Sequence, residues 1–162
     1  MNNRMLDLFA GSKSVSRIFK EAGYDVTSVD ILWGQDVMTW EPDGYYNFVW
    51  ASPPCDTYTD VPWHNVPVDL SLWKRTLEVI EKIKPEYYVI ENVRGAQRYW
   101  GKAVKHVGSR YLWGDFPLFD VKDGKDLYGK WRLPPSPDRK MLRSMIPERL
   151  TRSLVKALEA VQ

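Results

Sequence analysis

Apolar and polar residues follow one another along the chain in blocks that predict strands and helices in turn. Four short segments are typical of strands: residues 4–9, 45–51 and 87–91, which are mostly apolar, and residues 25–31, which end in Val-Asp-Ile. Residues 14–23 and 69–84 instead carry apolar side chains at helical spacing, ended by Gly23 and Pro85. The second helix is predicted to bury Leu77. Strands that alternate with helices predict an α/β fold with an open, mainly parallel sheet.

The second half of the chain has a less regular pattern. Residues 147–161 place their apolar side chains on one face and predict a final helix that begins at Pro147. Residues 110–113 and 118–121 predict a hairpin, and the charged, glycine- and proline-rich residues 123–138 predict a loop. A length of 162 residues fits a single domain.

Composition narrows the class of protein. Hydrophobic residues make up 44% and charged residues 27%, which excludes wholesale disorder, collagen and low-complexity sequence. No stretch approaches the roughly 20 apolar residues of a membrane span, and no apolar signal-peptide core is visible. The single cysteine, Cys55, excludes an internal disulfide and a zinc site built of cysteines. His64 and His106 are predicted to be loop residues, so we expect no bound metal. Because the chain has a single cysteine and no visible signal-peptide core, we expect an intracellular protein.

Charge is unevenly distributed, although the net charge is only +2. Residues 1–93 carry 8 basic and 14 acidic side chains, whereas residues 94–162 carry 15 basic and 7 acidic ones. Five basic residues and no acidic one lie in the segment 94–114: Arg94, Arg98, Lys102, Lys105 and Arg110. This distribution favours a polyanionic partner for the second half or, equally, a solvated face that pairs with the acidic half.

Ligands of open α/β sheets bind at the carboxyl ends of the strands, so the residues that follow each predicted strand are the first candidates. Residues 7–14 run Asp-Leu-Phe-Ala-Gly-Ser-Lys-Ser, a turn of small residues whose backbone amides can meet a polar ligand. Asp30 ends the second strand, where nucleotide-binding folds hold ribose hydroxyls. A solvated strand end or a helix cap accounts for Asp30 equally well.

The third and fourth strands end in residues that can carry chemistry. Cys55 follows Ser-Pro-Pro at a strand end, which favours a nucleophile over a small buried hydrophobe. Glu91 ends the fourth strand at the edge of the core, where desolvation favours a protonated carboxyl that can carry a proton. Capping a helix or pairing with Arg94 is the alternative role for Glu91.

Together these motifs resemble the DNA cytosine-5 methyltransferases, especially the short forms of phage and viral genomes that belong to restriction-modification systems. The similarity covers residues 5–93 in order and spacing: Asp-Leu-Phe-Ala-Gly, Val-Asp-Ile, Asp-Val, Ser-Pro-Pro-Cys and Val-Ile-Glu-Asn-Val. The resemblance implies a Rossmann-like methyltransferase fold with helices on both faces of the sheet, in one domain of residues 1–162. Residues 1–93 would form its cofactor and catalytic half. Residues 94–162 would form a basic, substrate-contacting half with a C-terminal helix.

The resemblance also implies S-adenosylmethionine as cofactor and methyl transfer to carbon 5 of cytosine in DNA. Nine positions would bind the cofactor: Phe9, Ala10, Gly11, Ser14, Asp30, Ile31, Asp36, Val37 and Pro53. The Cys55 thiolate would attack carbon 6 of a flipped-out cytosine, Glu91 would hold and protonate N3, and Arg110 would clamp the substrate. Five further positions would contact substrate: Pro54, Asn92, Val93, Arg94 and Arg98.

The chain departs from the family pattern in three respects. The family's paired-arginine motif has only a partial match, residues 109–114 around Arg110. Lys13 and Ser14 stand where the family has a pair of glycines. The segment 94–162 is too short for the large target-recognition domain, so we expect little sequence selectivity, or selectivity from a homodimer or a separate partner. Three alternatives stay open: an enzyme acting on a free cytidine nucleotide, an amino-methyltransferase, and a degenerate methyltransferase fold that binds nucleic acid or protein.

Overall fold

The computed structural model describes residues 3–59, 66–127 and 138–161. The strands are β1 (Arg4–Leu8), β2 (Asp25–Val29), β3 (Phe48–Ala51), β4 (Tyr87–Asn92), β5 (Lys105–Val107) and β6 (Arg110–Asp115). The helices are α1 (Ser14–Glu21), α2 (Ser71–Ile83), α3 (Gln97–Trp100), α4 (Arg139–Ser144) and α5 (Glu148–Ala160). Short 3-10 turns lie at Ile31–Trp33, Arg94–Ala96 and Lys125–Leu127.

The six strands form one sheet in the order β2-β1-β3-β4-β6-β5. The first four are mutually parallel, so their carboxyl ends meet at one edge. Strand β6 runs antiparallel to both β4 and β5, with Asn92 opposite Tyr111. Because β6 runs in the opposite direction, its first residue, Arg110, lies at the same edge as the ends of the parallel strands.

Helices cover both faces of the sheet because neighbouring strand residues point to opposite sides. On one face, Met5 and Phe48 are fully buried with residues of α1 and α5, including Phe19 and Leu154. On the other face, Leu6, Val49 and Ile90 pack with Val79 and Ile80 of α2. The predicted α/β fold, a mainly parallel sheet with helices on both faces, is confirmed.

The predicted hairpin of residues 110–113 and 118–121 is wrong. The hairpin joins β5 to β6 through Gly108 and Ser109, and residues 118–121 form no strand. Gly108 has φ +56, the conformation that a two-residue hairpin turn requires at its first position. His106 therefore lies on β5 and not in a loop, and His64 lies outside the described residues.

Helix α2 buries Ile80 and Ile83 as predicted but differs from its apolar pattern at Leu77. Leu77 is 39% exposed, so its predicted burial is wrong. Arg75 is buried in its place, because its guanidinium donates to the carbonyls of Val37 and Trp40 and pairs with Glu41. The loop before β3 supplies these acceptors, which a helical pattern cannot reveal. Within the described segments, every helix is too short or too polar to span a bilayer.

We predict that Gly114→Ala destabilises the fold by about 2–4 kcal/mol. Gly114 has φ +134, and a Cβ there would stand 2.2 Å from the carbonyl oxygen of Tyr88 on β4. Gly23→Ala is the matched control: its φ is +86, but a Cβ would meet nothing within 4 Å, so about 1 kcal/mol is expected. Urea unfolding followed by tryptophan fluorescence measures both, and equal losses would contradict the prediction.

Candidate functional site

The turn between β1 and α1 is built from unusual backbone conformations. Phe9, Gly11 and Lys13 have φ of 60°, 48° and 59°, all in the left-handed region. The Ala10 amide donates to the carbonyl of Val29, which ties this turn to the end of β2. Three left-handed residues within five fold the chain tightly over the sheet edge and bring the Gly11 peptide beside the turn that follows β2.

Asp30 joins the two turns. Its Oδ2 accepts from the Gly11 amide and its Oδ1 from the Leu32 amide, both at 2.8 Å. It therefore acts as the cap that the sequence left open as an alternative. Each carboxylate oxygen has a second lone pair, so Asp30 can still accept hydrogen bonds from ribose hydroxyls.

Exposed apolar residues follow Asp30 at the end of β2. Ile31, Leu32 and Trp33 are 73%, 69% and 54% exposed. Consecutive apolar residues on a surface mark a contact site, and next to a carboxylate they fit the base and ribose of an adenosyl group. Val37 is only 3% exposed and packs in the core on the α2 face, so its side chain offers little surface to a ligand.

Asp36 is exposed in the loop after this turn. Its Oδ1 accepts from the Met38 amide at 2.9 Å. The carboxylate therefore orders its own loop, and the second lone pair of each oxygen stays available to a donor. Its role toward adenine stays a prediction.

A small cleft of about 60 Å³ lies at the ends of β1 and β3. Its walls are formed by residues of the β1–α1 turn, β3 and the segment after α4: Asp7, Phe9, Ala10, Gly11, Ser12, Ser14, Val15, Trp50, Ser52, Ser144 and Ile146. The Ile146 amide donates to Ser14 Oγ at 3.1 Å, which closes the cleft from the C-terminal side. This volume holds a few waters or one small polar group.

Asp7 is a buried acid in this cleft that the sequence analysis did not single out. It is 2% exposed, and its Oδ2 accepts from both the amide and the Oγ of Ser16, at 3.1 and 2.5 Å. Burial raises the pKa of Asp7 to about 7, against the hydrogen bonds from Ser16, which lower it. The sequence feature that could have revealed Asp7 is an acidic residue inside an otherwise apolar strand.

The loop that carries Cys55 is fixed to β4 by Asn92. Asn92 is 2% exposed; its Nδ2 donates to the Pro53 carbonyl at 2.8 Å, and its Oδ1 accepts from the Val93 amide. The Cys55 carbonyl accepts from the amide of Tyr58 in the following turn. Asn92, predicted to bind substrate, here engages backbone on both sides of its amide and holds the cysteine loop against the strand.

Glu91 and Arg110 form a buried ion pair beside this loop. Glu91 is 4% exposed, and its Oε1 lies 3.3 Å from Arg110 Nη1. Arg110 Nη2 also donates to the carbonyls of Arg143 and Met145, at 2.7 and 3.1 Å. A buried carboxylate is destabilising by several kcal/mol unless it is paired, so Arg110 is the group that permits Glu91 to lie here. The ion-pair partner of Glu91 among the described residues is Arg110 and not Arg94.

Cys55 is half-buried, and its surroundings disfavour the thiolate. Burial raises the pKa of the thiol, the charges of Asp56 and Glu91 raise it further, and Arg110 lowers it. Asp56 is itself paired with Lys140 of α4, at 3.2 Å. Burial and the two neighbouring carboxylates therefore both oppose formation of the thiolate, and neutralising the carboxylates lowers the pKa of the thiol.

The remaining predicted substrate residues lie directly after β3 and β4 in the chain. Pro54 is exposed, and Val93 packs partly against the core on the α2 face. Arg94 and Arg98 are exposed in the 3-10 turn and in α3, which follow β4 directly. Within the described segments, no three His, Cys, Asp or Glu side chains cluster as metal ligands.

An aromatic cluster, missed from the sequence, anchors α3 near the cysteine loop. Trp73 and Trp100 stack with ring centroids 4.1 Å apart, and Tyr58 and Trp113 each meet the edge of Trp100 at 5.0 Å. The four residues come from four separate parts of the chain, so no local spacing could reveal them. Their packing fixes where the cations of α3 lie relative to Cys55.

Comparison with known proteins supports the predicted resemblance. No family model matches the chain. The chain is 26% identical over 113 residues to the "Probable DNA (cytosine-5)-methyltransferase" of Frog virus 3 (isolate Goorha), covering 55% of this chain and 53% of that protein. The chain therefore spans about half the length of the curated relative that it matches. The resemblance to the DNA cytosine-5 methyltransferases is confirmed at this modest identity.

Two solved structures match part of the chain at low identity. The S. pombe Dnmt2 methyltransferase is 20% identical, with 60% of this chain and 38% of that chain covered and a TM-score of 0.43. A DhpI-SAM-HEP complex is 15% identical, with 67% and 60% covered and a TM-score of 0.39. These low values add nothing to the fold that the sheet order itself establishes.

We predict that Asp7→Asn changes how stability depends on pH. The unfolded carboxyl ionises near 3.8, whereas the folded one keeps its proton up to about pH 7, so folding binds an extra proton between these values. Wild-type stability relative to Asp7→Asn should fall by up to about 4 kcal/mol from pH 4 to pH 7 and then stay constant. Urea unfolding across this range measures it. Asp120→Asn, at an exposed acid, controls for net charge. Asp7→Asn and wild-type curves that stay parallel would contradict the prediction.

Proposed function

We propose that this chain transfers a methyl group from S-adenosylmethionine to carbon 5 of cytosine in DNA, through a covalent bond between Cys55 and carbon 6. The observation that carries the proposal is the meeting of Cys55 and the Glu91–Arg110 pair at adjacent strand ends, beside a separate adenosyl-compatible surface. Sequence similarity to the viral relative supports the reaction class. Residues 1–162 would act as one unit, with residues 1–93 carrying the cofactor and catalytic groups.

The residues at the ends of β1 and β2 fit the cofactor. Asp30 would accept from the ribose hydroxyls, Ile31 would contact adenine, and Phe9 and Gly11 would flank the methionine end. Ala10, Ser14 and Pro53 would line the β1–α1 turn and the start of the cysteine loop. Asp36 would approach adenine from the loop after Trp33, and Val37, buried in the core, would support that loop by its packing. When bound, S-adenosylmethionine supplies an electrophilic methyl group.

The protein's own residues account for activation of the base. Cys55 Sγ, as thiolate, forms a bond to carbon 6, and the displaced electron pair makes carbon 5 nucleophilic. Glu91, which takes up a proton before it meets the base, donates that proton to N3, so that negative charge does not build up on the ring. After carbon 5 has gained the methyl group it loses its proton to a base, the carbon 6–sulfur bond breaks and the thiolate leaves. N3 then returns its proton to Glu91.

Arg110 acts in this scheme by orienting Glu91. It binds Oε1, while Oε2 has no hydrogen-bond partner among the described residues and is the oxygen available to a cytosine. The same guanidinium lowers the pKa of Cys55, so one cation serves both groups. We therefore propose that Arg110 orients Glu91 in the reaction site, whereas the resemblance implied that it clamps the substrate.

DNA would be held by the cations that follow β4. Arg94, Arg98 and Lys102 are exposed around α3, close in the chain to Glu91. Within the segment 94–114, Arg110 faces Glu91, and the Lys105 ammonium lies 5.3 Å from the centre of the Phe119 ring. We assign the phosphate contacts to the three cations exposed around α3, fewer than the five of the charge count.

We predict that Cys55→Ala abolishes methyl transfer and covalent trapping. An oligonucleotide with 5-fluorocytosine should form a stable adduct with the wild-type chain and S-adenosylmethionine, because fluorine cannot leave as a proton does. Denaturing gels and intact-mass spectrometry detect the adduct.

Binding of S-adenosylhomocysteine, measured by calorimetry, is the control for Cys55→Ala. It should be unchanged, because the thiol contacts the base and not the adenosyl group. Residual methylation or residual adduct in Cys55→Ala would exclude Cys55 as the nucleophile.

We predict that duplex binding weakens with salt, with a slope of log K against log salt of about −3. Arg98→Gln with Lys102→Gln should flatten that slope by up to about 2 and weaken all sequences alike, since phosphate contacts carry no base information. Fluorescence anisotropy with two unrelated duplexes measures this.

The matched control for the salt experiment is Lys82→Gln with Lys84→Gln. These lysines lie at the end of α2, at the opposite edge of the sheet, so the slope should not change. Salt-independent binding, or a loss confined to one duplex, would contradict phosphate binding. Turnover of a free cytidine nucleotide without any binding to DNA would favour the nucleotide enzyme instead.

A further inference from the structure

Lys13 adopts a backbone conformation that non-glycine residues rarely occupy. Its φ and ψ are 59° and 28°, in the left-handed region, at the N-cap of α1. Only glycine and, less readily, asparagine or aspartate reach this region without strain. Phe9 and Lys84 also have positive φ, so the backbone conformation alone assigns no role to Lys13; its side-chain contact does.

The Lys13 side chain contacts Trp33. Its Nζ lies 4.1 Å from the centre of the Trp33 ring, well within the range of a cation–π contact. Trp33 belongs to the 3-10 turn after β2, 20 residues further along the chain. The contact therefore joins the β1–α1 turn to the turn that carries Asp30 and the exposed apolar residues.

Trp33 and Asp30 hold the same residue, Gly11, through the two peptide groups on either side of its Cα. The Trp33 Nε1–H donates to the Gly11 carbonyl at 3.2 Å, while the Gly11 amide donates to Asp30 Oδ2 at 2.8 Å. Lys13 in turn holds the Trp33 ring. The two turns are thus closed into a ring of side-chain contacts around Gly11.

We propose that Lys13 and Trp33 form a positioning pair that fixes the Gly11 turn in the conformation that binds the cofactor. This inference rests on the proposed function. A turn that is already ordered loses less conformational freedom when the ligand binds, so affinity rises without a new ligand contact. Lys13 therefore orders the turn that binds the cofactor, although its backbone conformation favours glycine.

The opposite view is that Lys13 is only a strained substitution. The two views predict opposite effects for a residue that adopts the left-handed conformation readily but carries no charge. Asparagine is such a residue. If strain is the whole effect, Lys13→Asn should bind the cofactor product as well as wild type or more tightly; if the pair positions the turn, it should bind more weakly.

The experiment measures S-adenosylhomocysteine binding by calorimetry. Lys13→Asn should weaken binding about two- to fivefold, as expected for loss of a cation–π contact at a half-exposed site. Lys13→Arg keeps a cation and should restore most of the affinity. Lys20→Asn removes an exposed positive charge from α1 without touching Trp33, and it should leave binding unchanged.

Trp33 variants separate the two contacts of the pair. Trp33→Phe keeps a ring for Lys13 but loses the bond to the Gly11 carbonyl, and should weaken binding by about two- to tenfold. Trp33→Leu loses both contacts and should weaken it more. In the Trp33→Leu background, Lys13→Asn should have no further effect, because its partner ring is gone.

Kinetics and thermal unfolding separate positioning from general stability. The KM for S-adenosylmethionine should rise in Lys13→Asn with kcat unchanged, and the midpoint of thermal unfolding should stay within about a degree of wild type. Weaker binding that follows a lower unfolding midpoint in every variant, Lys13→Arg included, would show a structural role and overturn the pair.

The remaining outcomes keep this inference distinct from the proposed function. Wild-type binding with equal or tighter binding in Lys13→Asn overturns the positioning pair and leaves the proposed function intact. Independent, additive effects of Lys13→Asn and Trp33→Leu overturn it as well. No binding of S-adenosylhomocysteine to the wild-type chain overturns the proposed function, and the pair with it.

Discussion

A buried carboxylate at the carboxyl edge of the sheet dictates the arrangement around it. Glu91 ends a central strand and is almost fully buried, so it needs a cation at close range. Arg110 meets this need because β6 runs antiparallel and begins at the same edge. Arg110 is in turn held by the carbonyls of Arg143 and Met145, which links the C-terminal segment to the site.

The same edge organises two separate regions. On the cysteine side, Asn92 fixes the Pro53 carbonyl and Lys140 of α4 pairs with Asp56. On the β1 side, Asp30 holds the Gly11 amide and the Ile146 amide reaches Ser14. Residues of and after α4 contact both regions, which supports the proposal that one unit carries the cofactor and the reacting base together.

The sequence predicts the first half of this structure well, because β1, β3, β4 and both helices there have clear apolar patterns, although β2 does not. The positions of Cys55 and Glu91 at strand ends follow from the same patterns. Contacts between distant segments could not be predicted: the Glu91–Arg110 pair depends on β6, a strand paired across 19 residues of chain. The predicted hairpin was misplaced because β5 has only three residues, of which Lys105 and His106 are polar. The burial of Arg75 depends on loop carbonyls that no periodicity encodes.

The central claim is that this site directs a methyl group to carbon 5 of cytosine. Its most direct measurement is to incubate the chain with labelled S-adenosylmethionine and DNA, digest the DNA to nucleosides, and locate the label by chromatography and mass spectrometry. We expect the label on 5-methyl-2′-deoxycytidine. Label on the exocyclic N4 of cytosine, or no transfer by a chain that binds both cofactor and DNA, would contradict it.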